Sequence, residues 1–124
     1  MHDLKDLSVS IEGDVLLVRL EGELDLNTAP KFRAAVEETI GRRPHLLHLV
    51  LDLTGVTFVD SSGLGAILGR YRQFAERGGR VVVIGLQPSV RRLFELSGLF
   101  RVVETATSYA EAKARLKGGA AVER

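Results

Sequence analysis

The sequence has 124 residues, of which 45% are hydrophobic and 27% are charged, a composition typical of one compact globular domain. With 17 Lys and Arg against 16 Asp and Glu, the net charge of +1 argues against a dedicated nucleic-acid-binding protein. The absence of cysteine excludes disulfide scaffolds, iron–sulfur clusters and thiol catalysis. No window approaches the ~18 apolar residues of a membrane helix, and the N-terminus has no signal-peptide core, so we expect a cytoplasmic protein.

Strands and helices alternate along most of the predicted chain. The predicted strands are 7–12, 15–20, 46–53, 80–86 and 102–103. The predicted helices are about 29–40, 61–77, 88–97 and 109–117. Alternating apolar residues indicate a half-buried first strand, which the Gly13-Asp14 turn joins to the second as a hairpin. The third and fourth strands are almost continuously apolar, which is typical of buried parallel strands.

Helix-capping signals support these helices. Asn27 or Thr28 is a natural N-cap for the first helix, with Pro30 in its first turn. Ser108 and Glu111 have the spacing of a capping box before the last helix. The order β-β-α-β-α-β-α-β-α predicts an α/β fold, with a small, mostly parallel mixed sheet, crossover helices and an N-terminal antiparallel hairpin. We expect a single domain over 1–124, with its core at about 7–117 and a frayed tail over 118–124.

The stretch after the third predicted strand is the most unusual part of the sequence. Asp60, Ser61 and Ser62 stand where a strand's carboxyl end becomes a helix N-terminus, and any of the three could be its N-cap. A cap alone does not explain Gly63 and Gly65 in the first turn, where glycine costs up to ~1 kcal/mol relative to alanine. Close approach of another backbone, from the sheet or from a partner, would explain these glycines.

Three motifs carry a family resemblance. They are FVDSSGLGAILGRY at 58–71, GELD at 22–25, in the loop expected after the second strand, and PSVRRLFELSGLF at 88–100. Together they resemble the bacterial anti-anti-sigma factors, which have the STAS fold, over essentially 7–116. The third motif is similar to the sporulation branch, the antagonists of the anti-sigma F factor. A stress-response member of the same family is the nearest alternative.

The resemblance implies a partner-switching regulator that is not an enzyme. In that family the unmodified protein binds an anti-sigma factor that is also a serine kinase, and the sigma factor is released. The kinase uses its own ATP to phosphorylate the serine that corresponds to Ser61, and a PP2C-type serine phosphatase restores the active form. The residues expected to dock on the kinase are Asp25, Asn27, Thr28, Asp60, Ser62, Gly63 and Leu64. We expect no cofactor, metal, nucleic acid or membrane to bind, and a monomer when the protein is free.

Three rival functions are weaker. A hydrolase with Ser61 or Ser62 as nucleophile would need a base, but no histidine follows His48 and no G-x-S-x-G elbow is present. A phospho-aspartate receiver using Asp52 would resemble this chain only loosely, since the acidic pair and the lysine of receivers are missing. Instead, we expect Asp52 to be satisfied by backbone groups or a neighbouring cation. Nucleotide binding by the domain itself lacks a phosphate-binding glycine motif.

Two further patterns favour structural roles. The spacing of Gly65 and Gly69 predicts close packing of the second helix on the sheet. Four basic residues are predicted to lie on solvated helix faces: Arg70, Arg72, Arg91 and Arg92.

Overall fold

The structure, a computed structural model, describes residues 4–117, so the tail expected over 118–124 lies outside the described residues. Its strands β1 to β5 are Leu4–Glu12, Val15–Leu24, His48–Val59, Val81–Ile84 and Glu104–Ala106. Its helices α1 to α4 are Ala29–Arg42, Ser61–Glu76, Pro88–Ser97 and Tyr109–Lys117. A short 3-10 turn, Leu99–Arg101, connects α3 to β5.

The five strands form one sheet in the order β1-β2-β3-β4-β5. β1 is antiparallel to β2, and the other three pairings are parallel. This arrangement confirms the predicted mixed α/β fold with its N-terminal hairpin. None of the helices in the described part of the chain has the length and apolarity needed to cross a membrane.

The sheet separates two apolar clusters of unequal size. The larger contains Phe32 of α1, Phe74 of α2 and Phe94 of α3, packed against one face. The smaller places Ala112 and Leu116 of α4 on the opposite face. In the first half of β3, Leu49, Leu51 and Leu53 face the larger cluster and Val50 faces the smaller one, which is why this half is mostly apolar.

β2 and β3 are longer than the sequence predicts. β2 continues to Leu24 and β3 to Val59, because the two strands remain paired beyond the end of β4. The register shifts between Arg19 and Glu21 and again after Gly22, so the apolar alternation that marks a strand is interrupted there. The GELD motif is therefore the end of β2, and only its aspartate begins the following loop.

The prediction for the last strand is wrong by two residues. Val103 is buried in the larger cluster, but the backbone that pairs with β4 is Glu104–Ala106. The apolar pair at 102–103 therefore marks a contact with the core rather than a strand. β4 is also shorter than predicted, four residues in place of seven.

The capping box before α4 is half confirmed. The Ser108 hydroxyl accepts a hydrogen bond from the Glu111 N–H at 3.1 Å, as predicted. The Glu111 carboxylate, however, accepts from the N–H of Thr107 at 2.7 Å rather than from Ser108.

One basic residue predicted to be solvated is buried. Arg70 is only 8% exposed, while Arg72, Arg91 and Arg92 are exposed as predicted. Its guanidinium faces α1, 3.8 Å from the carboxylate of Glu37. The position of Arg70 on α2 therefore points between two helices, which helical periodicity alone does not reveal.

Candidate functional site

Asp60 connects β3, α2 and the loop after β2. It follows β3 directly and is the N-cap of α2, and one of its carboxylate oxygens accepts from the Gly63 N–H at 2.9 Å. The other oxygen accepts from the N–H of Leu26 at 3.1 Å, and the Asp60 N–H donates to the carbonyl of Leu24 at 3.2 Å. Among the three cap candidates, the structure selects Asp60, whose carboxylate also fixes the neighbouring loop.

Gly63 lies where α2 comes closest to the end of β2. A Cβ atom at this position would lie 2.3 Å from the Leu24 carbonyl oxygen, so a side chain cannot fit without moving backbone. The expected close approach is thus confirmed for Gly63. For Gly65 and Gly69 the expected packing on the sheet is wrong, because a Cβ at either position would meet nothing within 4 Å in the described chain. Close approach of a partner to Gly65 stays a prediction.

The loop between β2 and α1 is built by Asp25 and Thr28, which are both buried. The Asp25 carboxylate accepts from the N–H groups of Asn27 and Thr28 at 3.0 and 3.1 Å. The Thr28 hydroxyl accepts from the Asp25 N–H at 2.8 Å and donates to the Glu23 carbonyl at 2.7 Å. Thr28 is the N-cap residue of α1, but its hydroxyl does not cap the helix. Asp25 and Thr28 therefore shape this loop and offer little exposed surface, and their predicted contact with a partner stays a prediction.

The side chains exposed around Ser61 differ in part from the predicted docking residues. Asn27 and Ser61 are exposed, while Asp60, Ser62 and Leu64 are half-buried and Gly63 is buried. Two exposed apolar residues were missed: Leu26 is 70% exposed and Phe58 is 44% exposed. In the sequence, Leu26 is a single leucine between the polar residues Asp25 and Asn27, and Phe58 follows the polar Thr57. These patterns could have marked both side chains as exposed.

Neither of the two histidines in the described part of the chain lies near Ser61. His48 is the first residue of β3, and Ser61 lies two residues beyond its last residue, Val59. The 12-residue strand therefore separates His48 from Ser61 by more than about 30 Å. His48 Nδ1 accepts from the Arg80 N–H at 3.0 Å, and burial lowers the pKa of His48. The reading of His48 as a structural strand histidine is confirmed.

Asp52 lies inside β3 and is engaged on both carboxylate oxygens. One accepts from the N–H and the hydroxyl of Thr54 at 3.0 and 2.6 Å, and the other from Arg19 Nε at 3.1 Å. Burial alone would raise the pKa of Asp52, but the hydrogen bonds from Thr54 and Arg19 outweigh it, so its pKa lies below the ordinary value. Asp52 is thus satisfied by backbone and cation as predicted. Over residues 4–117, no group of three or more His, Asp or Glu side chains could hold a metal ion.

Comparison with known proteins agrees with this geometry. The sequence profile of the STAS domain matches residues 6–112. The chain belongs to the STAS-domain family. It is 47% identical over 89 residues to the anti-sigma F factor antagonist of Paenibacillus polymyxa, covering 72% of this chain and 75% of that protein. It is 34% identical over 103 residues to the anti-sigma-B factor antagonist of Listeria monocytogenes, covering 79% of this chain and 89% of that one.

Solved STAS-domain structures share the fold. The anti-sigma factor antagonist SpoIIAA in its unphosphorylated form has 29% identity and a TM-score of 0.79, covering 91% of this chain and 97% of that chain. SpoIIAA of Bacillus in the phosphorylated form has 28% identity and a TM-score of 0.70, covering 89% and 98%. The family and fold inferred from the three motifs are therefore confirmed.

Proposed function

We propose that this STAS domain is an anti-sigma factor antagonist that works by partner switching. Its unphosphorylated form binds an anti-sigma factor that is also a serine kinase, and the sigma factor is released. The kinase, which holds the ATP, phosphorylates Ser61 and the complex dissociates, and a PP2C-type phosphatase restores the active form. The observation that carries this proposal is the exposed Ser61 at the start of α2, directly after the Asp60 carboxylate that holds the β2–α1 loop.

The electrostatics of this site favour a switch. A phosphate at Ser61 adds roughly −1.5 to −2 charges, which takes the net charge of the chain from +1 to about −0.5 to −1. The new charge would adjoin the Asp60 carboxylate, so a complex that buries both would be opposed by like-charge repulsion and by desolvation. A coupling of about 1–3 kcal/mol, or 5- to 150-fold in affinity, suffices for switching.

The rigidity of the site supports a switch without refolding. Asp60 is hydrogen-bonded to backbone groups of Leu24 and Leu26 in one segment and of Gly63 in α2. Helix α2 also packs so closely on Leu24 that no side chain fits at position 63. The phosphate would therefore alter the docking surface more than the backbone. SpoIIAA shares the overall fold of this chain in both its unphosphorylated and its phosphorylated form.

We propose a regulatory role without catalysis by this chain. Among the described residues, His45 and His48 both lie at the far end of β3, and both carboxylate oxygens of Asp60 already accept backbone hydrogen bonds. The Ser61 hydroxyl is better understood as a substrate of the kinase than as a nucleophile. A function in sigma-factor control would be carried out in the cytoplasm, with the free protein as a monomer.

The sporulation branch is the preferred assignment within the family. The anti-sigma F factor antagonist of Paenibacillus polymyxa is 47% identical, whereas that of Lysinibacillus sphaericus and the anti-sigma-B factor antagonist of Listeria monocytogenes are each 34% identical. Binding to an F-type and a B-type anti-sigma factor, measured side by side, would distinguish the two pathways, and we expect tighter binding to the F-type protein.

Reconstitution with the purified anti-sigma factor and ATP tests the proposal. Mass spectrometry should locate phosphate on Ser61, Ser61→Ala should bind constitutively and release the sigma factor, and Ser61→Asp should bind weakly. Ser62→Ala tests which serine of the pair is modified and should still be phosphorylated on Ser61. Phosphate on Ser62, or labelling of Asp52 by a small phosphodonor with magnesium, would contradict the assignment.

A further inference from the structure

A shallow apolar groove begins one helical turn beyond Ser61. It has a volume of about 250 Å³ and runs between α2 and the 3-10 turn after α3. Its lining residues are Leu64, Gly65 and Leu68 on one side and Ser97, Gly98, Leu99, Arg101 and Val102 on the other. Positions 61, 64, 65 and 68 share one face of a helix, so Ser61 stands at the head of this groove.

Gly65 has no structural explanation within the described chain. It is exposed inside a 16-residue helix, where glycine costs about 1 kcal/mol relative to alanine. Gly63, two residues earlier, is required by the Leu24 carbonyl, whereas a Cβ on Gly65 would meet nothing within 4 Å. The effect of this missing side chain is to keep the groove open.

We propose that the groove receives an apolar side chain of the anti-sigma factor, flanked by a carboxylate that pairs with Arg101. This inference rests on the proposed function and extends its docking surface from Ser61 along α2. The lining contributes leucine and valine side chains, which suit an aliphatic anchor. Pockets for small-molecule ligands commonly enclose about 300–1,000 Å³, so this open groove is small for a cofactor.

Two features of the groove favour the anti-sigma factor as its occupant: it adjoins the docking residues around Ser61, and it carries the positive charge of Arg101. Leu64 belongs both to the groove and to the docking set around Ser61, so a protein seated over Ser61 would cover both. Arg101 is exposed at the groove and forms no ion pair with another described residue. A partner carboxylate would therefore gain a charge-assisted contact beside the apolar anchor.

Filling the groove tests the proposal. Gly65→Leu replaces glycine with a strong helix former, so its Tm should equal or exceed that of the wild type. Its affinity for the purified anti-sigma factor with ADP, measured by titration calorimetry, should fall at least about tenfold. Gly69→Leu is the matched control, because Gly69 is also open on α2 but does not line the groove. Its affinity should stay within about twofold of wild type.

A charge reversal provides a second test that does not depend on Gly65. Arg101→Glu should weaken binding clearly more than Arg92→Glu, the same change on an exposed residue of α3 outside the groove. Equal affinity of wild type and Gly65→Leu, or equal losses in Gly65→Leu and Gly69→Leu, would overturn the groove while leaving the proposed function intact. Failure of the wild type to bind any anti-sigma factor would remove both.

Discussion

The carboxylate of Asp60 accepts a hydrogen bond from the backbone N–H of Leu26, 34 residues earlier in the sequence, at 3.1 Å. The same carboxylate caps α2 through Gly63. One side chain thus connects the start of α2, at Ser61, to the loop that exposes Leu26, so the two parts of the candidate docking surface are hydrogen-bonded to each other through Asp60.

Replacing Asp60 should therefore destabilise the fold. Asp60→Ala removes both acceptors, and we expect the free energy of unfolding in urea to fall by about 1–2 kcal/mol. Asp60→Asn keeps one acceptor oxygen and should lose less. Ser61→Ala, at the adjacent exposed position, is the control and should change stability little. An Asp60→Ala protein as stable as the wild type would show that the contact with Leu26 contributes nothing.

The two kinds of glycine in α2 should respond oppositely to alanine. In Gly63→Ala the new methyl group meets the Leu24 carbonyl at 2.3 Å, so a loss of about 1–3 kcal/mol is expected from the overpacked contact. Gly69→Ala has open space and should gain about 0.5–1 kcal/mol through helix propensity. Thermal unfolding of the two variants under one condition measures the difference, and a shift of the same sign in both would be inconsistent with the structure.

Arg70 is a buried cation whose hydrogen bonding is incomplete. Its Nε and Nη1 atoms have no hydrogen-bond partner among the described residues, the half-exposed Glu37 lies 3.8 Å away, and the positive charge of Arg33 is also close. Because buried donors without acceptors carry a desolvation penalty, Arg70→Met should raise the free energy of unfolding by about 1 kcal/mol or more. The exposed Arg72→Met should stay within about 0.5 kcal/mol of the wild type. A marked loss in Arg70→Met would mean that the ion pair with Glu37 outweighs the burial.

Asp52 should make stability depend on acid pH. Because its pKa is lowered in the folded chain, its carboxylate contributes stability above the unfolded value of 3.8, and this is lost as pH falls through the folded pKa. Glu104, whose pKa is lowered by its hydrogen bond from Arg80, acts in the same direction. Urea titrations from neutral pH to below pH ~4 should show a shallower decline in Asp52→Asn than in the wild type. Parallel curves would exclude a contribution from Asp52.

Much of this protein follows from local sequence. The order of elements follows from apolar periods of 2 and about 3.6 residues and from turn and capping residues, which act within a few positions of one another. The DSSG motif places Ser61 at a helix start for the same reason, and α1 and α2 begin at the predicted residues. The regulatory site could thus be proposed before any tertiary contact was known.

Only the tertiary structure decided which residues of the site touch one another. Leu26 and Asp60 meet because β2 and β3 stay paired beyond β4, and no local pattern marks that extension. Contacts between elements also bury Asp25 and Arg70. They require glycine at position 63, where α2 meets Leu24, but not at position 65. Contacts between residues 30 or more positions apart depend on strand register and helix packing, so the sequence specifies them only through the complete fold.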